Sequence, residues 1–180
     1  RHWLNGRTLV DVVKESLDGG VTMIQLREKS LDEGKFLEEA KELQALCRER
    51  HVPFIVNDNV DIAKAMDADG VHVGQDDMDA GLARKLLGPD RILGVTAKTV
   101  EQARKACAQG ADYLGSGAVF GTTTKSDARP MTMETLRAIC DCSDIPVVAI
   151  GGINLDNIGL LEGSHVAGAA IVSGIFAAQD

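Results

Sequence analysis

Two hydrophobic patterns alternate along the 180-residue chain. Short apolar runs rich in β-branched residues are typical of buried strands, and longer segments repeat apolar residues at the spacing of a helix. The runs predict strands at Val21–Arg27, Pro53–Asp58, Gly70–Gly74, Ile92–Thr96, Tyr113–Gly117, Pro146–Gly152 and Gly168–Ile175. The helical pattern is clear at Leu9–Asp18 and Leu31–Arg50, and N-caps are predicted at Asn59, Thr99, Thr132 and Asn154.

Regular alternation of strand and helix predicts an α/β fold in which helices cover a parallel sheet. An open doubly wound sheet and a closed barrel both have this pattern. The barrel is favoured because a helix comes first and the chain stops where a helix after the last strand is due. The 180 residues also fall short of the roughly 200–250 typical of eight βα units. We therefore predict a single (β/α)8 TIM-barrel domain over residues 1–180, trimmed at both ends, whose first strand precedes Arg1.

Composition and charge narrow the function. The chain has 27 acidic and 19 basic residues, and aromatic residues make up 3% of it. Nucleic-acid binding, which needs a basic face and stacking aromatics, is therefore disfavoured. No apolar run reaches the roughly 18 residues that span a bilayer, and no secretory signal pattern is present. We expect a cytoplasmic protein with small-molecule partners and unreactive thiols, and a homo-oligomer is compatible with the sequence.

Candidate chemistry lies where the predicted strands end, because parallel α/β folds bind ligands at the carboxyl ends of their strands. In the first predicted strand, side-chain alternation places Gln25, Arg27 and Lys29 on one face. Two cations on that face suit a polyanionic ligand such as a diphosphate. The alternative is a strand end in which the cations pair with Glu28.

Two carboxylates follow the next two predicted strands. Asp58 comes after an apolar run, and Asp77 ends the segment Gly74-Gln-Asp-Asp77. Mg²⁺ in proteins takes one or two carboxylates together with waters and substrate phosphate oxygens, so this pair predicts a magnesium site. The alternative is helix N-capping, which we favour for Asp76.

Glycines and hydroxyls mark the later strand ends. The segment Gly121-Thr-Thr-Thr-Lys125 can close over a phosphate or a leaving group. Gly151-Gly152 and Val172-Ser-Gly174 end the last two predicted strands, where backbone N–H groups commonly bind phosphate in barrels. The pattern indicates phosphate binding without specifying a reaction.

Eight stretches form an ordered set that runs from about residue 8 to 176. They are Val21-Thr-Met-Ile-Gln-Leu-Arg-Glu-Lys29, Val56-Asn-Asp-Asn-Val-Asp-Ile-Ala63, Ala68-Asp-Gly-Val-His-Val-Gly-Gln-Asp-Asp77, Ile92-Leu-Gly-Val-Thr96, Gly110-Ala-Asp-Tyr-Leu-Gly115, Val119-Phe-Gly-Thr-Thr-Thr-Lys125, Val148-Ala-Ile-Gly-Gly-Ile153 and Val172-Ser-Gly-Ile175. As a set they resemble the thiamine phosphate synthase family. The resemblance implies a (β/α)8 barrel transferase of thiamine biosynthesis that uses Mg²⁺. It implies condensation of 4-amino-2-methyl-5-pyrimidinylmethyl diphosphate with 4-methyl-5-(2-phosphoethyl)thiazole, which gives thiamine phosphate and pyrophosphate.

The resemblance also implies a role for each candidate residue. The family's residues that contact the pyrimidine diphosphate correspond to Gln25, Arg27, Lys29, Asn57, Thr96 and Lys125. The Mg²⁺ ligands are matched by Asp58 and Asp77, and the thiazole phosphate site by Thr122, Thr123, Thr124, Gly152, Val172 and Ser173. Arg27, Lys29 and Lys125 are implied to neutralise the departing pyrophosphate, and Thr96 is counted with them as catalytic.

The chain departs from the family pattern at two positions. Thr96 stands where Ser is usual and keeps the hydroxyl, whereas Gly121 stands where Pro is usual and predicts a more mobile loop. Two other functions stay open, a thiazole tautomerase and a non-catalytic phosphate-binding barrel. The tautomerase does not need a diphosphate-binding metal site, so the joint presence of both carboxylates and the cations favours the transferase over it. A non-catalytic barrel would bind thiazole phosphate but give no Mg²⁺-dependent product.

Overall fold

The computed structural model describes residues 4, 6–28, 32–121 and 130–178. Within them the strands are β1 (Ile24–Leu26), β2 (Phe54–Asn57), β3 (Gly70–Val73), β4 (Ile92–Thr96), β5 (Tyr113–Gly117), β6 (Val147–Ile150) and β7 (Gly168–Ala170). The helices are α1 (Leu9–Asp18), α2 (Glu33–Glu49), α3 (Val60–Ala65), α4 (Ala80–Leu87), α5 (Val100–Ala108), α6 (Met133–Asp141) and α7 (Ser173–Phe176), with a 3-10 turn at Ile158–Leu161. All seven predicted strands are present, and β4 and β5 have the predicted bounds.

The strands form a parallel sheet whose order, β1 to β7, is the order of the chain. A doubly wound sheet reverses its strand order at a switch point, and these strands show no reversal. The predicted α/β class and parallel sheet are therefore confirmed, with the sequential order of a TIM-barrel-like fold. The closed eight-stranded barrel and the single domain over residues 1–180 stay predictions.

Two compact units divide the chain within β4, between Leu93 and Gly94. The core of the first unit contains fully buried side chains from α2, β2 and β3, namely Leu43, Cys47, Phe54, Ile55, Val56, Val71 and Val73. These strands are apolar nearly throughout, as expected where both faces of a parallel sheet are covered. Burial raises the pKa of the Cys47 thiol to about 11, because apolar surroundings disfavour the thiolate.

Polar contacts join the starts of β2 and β3 to neighbouring segments of the first unit. Asp67, which precedes β3, forms an ion pair with Arg91 and accepts through its carbonyl oxygen from Gln44 Nε2 at 2.9 Å. The Asp69 carboxylate accepts from the main-chain N–H of Phe54, the first residue of β2, at 2.8 Å. We call these five residues the amino-end network. It lies at the opposite end of the strands from the predicted site residues.

The second unit is built in the same way. Its core contains Val95 of β4 together with Leu114, Leu136, Ile139 and Ala149, all of which are buried. Helices α5 and α6 begin at the predicted caps, because the hydroxyls of Thr99 and Thr132 accept the main-chain N–H groups of Gln102 and Thr135 at 3.2 and 3.1 Å.

The last predicted strand is too long. It was expected to reach Ile175, but β7 ends at Ala170 and the chain turns into α7. The main-chain N–H of Phe176 donates to the carbonyl oxygen of Val172 at 2.8 Å, a helical spacing of four residues. The β-branched residues in this stretch suggested a strand, but tertiary contacts override such propensities.

The N-cap predicted at Asn154 is also wrong. Its side-chain oxygen accepts from the main-chain N–H of Asp156 at 2.9 Å, which forms a tight turn instead of opening a helix. The 3-10 turn that follows begins at Ile158.

The four cysteines, Cys47, Cys107, Cys140 and Cys142, are unpaired thiols. Burial also raises the pKa of the Cys140 thiol. Among the described residues, no helix combines the length and the apolar character needed to cross a membrane.

Candidate active site

The carboxyl end of β1 presents two exposed polar side chains. Gln25 and Arg27 are exposed, whereas Ile24 and Leu26 are buried, as the predicted alternation requires. Leu26 pairs with Val56 of β2, so Arg27 comes one residue beyond this pair. Lys29, the third residue predicted on this face, lies outside the described residues.

At the end of β2 the backbone of Asp58 adopts a left-handed conformation, with φ +66°. Its main-chain N–H donates to the carbonyl oxygen of His72 in β3 at 2.8 Å. The main-chain N–H of Asn59 donates to the carbonyl oxygen of Asn57, also at 2.8 Å, which closes a three-residue γ-turn around Asp58. Such a conformation is costly for a residue other than glycine, and it concentrates at functional sites. Asn57, predicted to contact the diphosphate, is half-buried in this turn.

Asp77 is held at the end of β3, the strand that pairs with β2. Its Oδ2 accepts the main-chain N–H of Gly74, the first residue after β3, at 2.7 Å. A Cβ atom at position 74 would lie 2.8 Å from that oxygen, so this contact depends on glycine. Asp58 and Asp77 thus follow two hydrogen-bonded neighbouring strands, at the same end of each.

Helix capping does not explain the two carboxylates. The α3 cap is Asn59, whose Oδ1 accepts from the main-chain N–H of Ile62 at 2.9 Å. The α4 cap is Asp79, which accepts from the N–H groups of two residues in the first turn. The capping role favoured for Asp76 is therefore wrong, and Asp76 is exposed in the turn before α4. In the part of the chain that the structure describes, no three His, Cys, Asp or Glu side chains are grouped as a metal cluster.

In the second unit, Thr96 is the last residue of β4 and is half-buried. It pairs with Gly115 of β5, and the main-chain N–H of Ala97 donates to the Gly115 carbonyl oxygen at 3.0 Å. Thr96 therefore lies at the carboxyl end of its strand, as predicted.

Two consecutive glycines follow β6 with left-handed backbones, Gly151 at φ +103° and Gly152 at φ +67°. A Cβ atom on Gly152 would lie 2.4 Å from the carbonyl oxygen of Gly121, so two main-chain segments pack directly against each other there. Position 152 therefore requires glycine, because the backbone is left-handed there and because a Cβ atom would have no room.

The segments after β6 and β7 lie next to each other. Ile150 pairs with Ala170, so Gly152 and Val172 each come two residues beyond this pair. A Cβ atom on Gly174 would lie 2.5 Å from the carbonyl oxygen of Ile153, which shows direct contact between the two segments. Val172 is 41% exposed, and Ser173, also exposed, begins α7.

The predicted phosphate loop falls largely outside the described residues. Thr122, Thr123, Thr124 and Lys125 are among the residues that the structure does not describe, so their predicted roles rest on the sequence. A cavity of about 250 Å³ lies in the second unit, and Pro130 and Met131, which follow the undescribed loop residues in the chain, line part of it. Its lining comprises Lys98, Gly117, Pro130, Met131, Thr132 and Thr135.

Two contacts were missed by the sequence analysis. Asn59 was predicted only as a cap, although its N–H also closes the turn at Asp58, and Gly74 was read only as a strand end. The spacing of Gly74 and Asp77 is itself a signal, because turn carboxylates often accept a nearby main-chain N–H. No sequence feature predicts the left-handed φ of Asp58.

The chain is similar to curated proteins over nearly its whole length. A family model described as thiamine monophosphate synthase matches residues 1–175. A thiamine-phosphate synthase from Clostridium tetani is 46% identical over 180 residues, which are 100% of this chain and 86% of that protein. The thiamine biosynthetic bifunctional enzyme TH1, chloroplastic, of Arabidopsis thaliana is 50% identical over 94% of this chain, which spans only 33% of that enzyme.

Solved structures agree with the sequence comparison. The thiamine phosphate pyrophosphorylase from Pyrococcus furiosus matches with a TM-score of 0.90 and 42% identity, covering 100% of this chain and 86% of that one. The family predicted from the sequence motifs and its thiamine-phosphate synthase function, a transferase activity, are confirmed by these relatives. The chain belongs to the thiamine monophosphate synthase family.

Proposed function

We propose that this chain condenses 4-amino-2-methyl-5-pyrimidinylmethyl diphosphate with 4-methyl-5-(2-phosphoethyl)thiazole in a Mg²⁺-dependent reaction, releasing pyrophosphate and thiamine phosphate. One observation carries the proposal. Asp58 and Asp77 follow neighbouring paired strands, and neither caps the helix after it. A transferase that acts on a diphosphate needs such a pair, whereas a tautomerase without a diphosphate substrate does not.

The donor chemistry of this strand end fits Mg²⁺. The ion prefers oxygen ligands and usually takes one or two carboxylates, keeping water and phosphate oxygens for its other positions. The γ-turn at Asp58 and the Gly74 contact at Asp77 restrain both acidic residues. We assign these two residues as the protein ligands. When bound, the ion supplies positive charge to the diphosphate oxygens.

We assign the pyrimidine diphosphate to Gln25, Arg27, Lys29, Asn57, Thr96 and Lys125. Among these, Arg27 is exposed beside Gln25 at the end of β1. A guanidinium group can donate two parallel hydrogen bonds to phosphate oxygens, which supports its assignment. The assignments of Lys29 and Lys125 rest on the family resemblance.

We assign the thiazole phosphate to Thr122, Thr123, Thr124, Gly152, Val172 and Ser173. The adjoining segments after β6 and β7 support this assignment, because Gly152 has no side chain to keep a phosphate away from the backbone. The exposed hydroxyl of Ser173 adds a hydrogen-bond donor.

The chain's residues act on the leaving group and on the orientation of the nucleophile. Cleavage of the bond between the pyrimidine methylene carbon and the diphosphate oxygen leaves negative charge on pyrophosphate. Arg27, Lys29 and Lys125 neutralise that charge as it grows. The aminopyrimidine stabilises the developing methylene cation, so no protein nucleophile is needed. The thiazole nitrogen then attacks, oriented through its phosphate by Gly152 and Ser173.

We further propose that the sheet belongs to a complete (β/α)8 barrel, because the order β1 to β7 follows the chain as it does in such barrels. A cytoplasmic location, a homo-oligomeric state and the lack of a nucleic-acid partner stay predictions from the sequence.

The test is an assay of thiamine phosphate formation from the two substrates, with and without Mg²⁺. Asp77→Ala is compared with Asp76→Ala, which removes a neighbouring exposed carboxylate from the same turn. We expect product only with Mg²⁺, an activity loss of about 100-fold in Asp77→Ala, and near-normal activity in Asp76→Ala. Full activity in the presence of a chelator would contradict the metal assignment. Binding of the thiazole phosphate without any product would favour a tautomerase or a non-catalytic barrel.

A further inference from the structure

We propose that Gly74 is a positioning residue for the Asp77 carboxylate and that it affects the reaction only through this carboxylate. The inference rests on the proposed function, because Asp77 is assigned there as a cation ligand. It concerns why this position, directly after β3, carries a residue without a side chain.

Two hydrogen bonds join the residues across a four-residue turn. The Gly74 N–H donates to Asp77 Oδ2 at 2.7 Å, and the Asp77 N–H donates to the Gly74 carbonyl oxygen at 3.4 Å. The first is the stronger contact, because hydrogen bonds to an ionised carboxylate are shorter and stronger than neutral ones. It fixes the direction in which the carboxylate leaves the turn.

A side chain at position 74 would displace this carboxylate and little else. The nearest atoms to a Cβ placed there are Asp77 Oδ2 at 2.8 Å and Asp77 Cγ at 3.8 Å. Gly70, at the start of the same strand, differs because its Cβ would lie 2.2 Å from the main-chain carbonyl oxygen of Ile92. Substitution of Gly70 therefore disturbs the sheet, whereas substitution of Gly74 moves the end of a flexible side chain.

Backbone freedom does not account for this glycine either. The glycines with left-handed backbones in the first unit are Gly6, Gly20 and Gly88, and Gly74 is not among them. Alanine therefore fits the backbone at position 74, and its only direct conflict is with the Asp77 carboxylate. Gly74→Ala thus tests the position of the carboxylate separately from the fold.

The experiment measures Mn²⁺ binding by electron paramagnetic resonance and Tm by thermal unfolding, without substrates. The variants are Gly74→Ala, Asp77→Ala and the double variant, with Gly159→Ala as the control because a Cβ there has no heavy atom within 4 Å. Outer contacts that orient a metal ligand typically contribute 10–100-fold in affinity. We expect Gly74→Ala to raise the Kd for Mn²⁺ by at least about tenfold with Tm unchanged. The double variant should bind no more weakly than Asp77→Ala, because both changes act on one carboxylate.

Three results would overturn the inference. An unchanged Kd in Gly74→Ala would show that the carboxylate does not depend on this glycine. Further weakening in the double variant would show a second route of action, and loss of the fold would show that the added methyl moves the backbone. If the unsubstituted protein binds no Mn²⁺, either alone or with pyrophosphate present, the metal assignment itself fails, and that result is separate from the other three.

Discussion

The main-chain N–H of Asn59 lies 2.8 Å from the carbonyl oxygen of Asn57, and this contact encloses Asp58 in a left-handed turn at φ +66°. A residue with a Cβ atom pays roughly 1–2 kcal/mol for such a backbone, whereas glycine does not. The end of β2 therefore carries a conformational cost at the position of an assigned metal ligand.

Substitution of Asp58 should separate stability from activity. We expect Asp58→Gly to be more stable than Asp58→Ala by about 1 kcal/mol, because only glycine relieves the left-handed backbone. Both variants should lose Mg²⁺-dependent formation of thiamine phosphate. Urea unfolding and the product assay measure the two effects. Equal stability of the two variants would show that the turn is unstrained.

Arg27→Ala should lower activity without weakening the fold. The side chain is exposed at the end of β1, so its loss should change the free energy of unfolding by less than about 0.5 kcal/mol. We expect kcat/KM for the pyrimidine diphosphate to fall by about 100-fold, because charge on the leaving pyrophosphate is less well neutralised. Arg104→Ala, which removes an exposed arginine from α5, is the matched control. A similar loss in both variants would contradict a specific role for Arg27.

Lys125→Ala should lower kcat more than it raises KM. The assigned role is to stabilise charge that grows during bond cleavage, so the loss falls mainly on the transition state. Steady-state kinetics in which each substrate is varied while the other is held at saturation measure this difference. A variant with normal kcat and a raised KM would instead assign Lys125 to ground-state binding.

Ser173→Ala should affect only one of the two substrates. Its hydroxyl is assigned to the thiazole phosphate, so we expect KM for that substrate to rise by about tenfold, which corresponds to one hydrogen bond of about 1.4 kcal/mol. KM for the pyrimidine diphosphate should stay unchanged. Equal increases in both KM values would show that the variant disturbs the site generally.

The Cys47 thiol predicts how stability changes at alkaline pH. Its pKa is raised from 9.0 to about 11 in the folded protein, because burial disfavours the thiolate. As the pH rises, the Cys47 thiol loses its proton in the unfolded chain before it does so in the folded protein. Its contribution to the free energy of unfolding is therefore fully present below about pH 9 and is lost as the pH rises through about 11. Cys47→Ala should show a shallower decline in unfolding free energy over this range, by up to about 1.4 kcal/mol per pH unit. Parallel declines would contradict the buried thiol as a cause.

Much of the fold follows from local sequence pattern. The two hydrophobic periods locate all seven strands, and side-chain hydroxyls at Thr99 and Thr132 mark the helix starts correctly. The errors occur where a local pattern competes with tertiary contact. Ser173–Phe176 becomes helical although β-branched residues precede it, and Asn154 forms a turn in place of a cap.

The positions of several candidate residues could also be predicted, although their roles stay predictions. Arg27, Asp58 and Asp77 follow β1, β2 and β3 as expected, because the carboxyl ends of parallel strands lie at one edge of the sheet. Their orientation could not be predicted in the same way. The γ-turn at Asp58 depends on main-chain hydrogen bonds that residue types do not encode, whereas the spacing of Gly74 and Asp77 allows their contact without specifying it.

The amino-end network has a consequence for how this unit can evolve. The contacts of Asp67 and Asp69 hold β2 and β3 at their starts, and the assigned ligand residues Asp58 and Asp77 come after the same strands end. Mutations that adapt the carboxyl ends to a different phosphorylated substrate leave these anchoring contacts intact. Changes of specificity at the carboxyl ends can therefore accumulate without loss of the contacts that hold the strand starts.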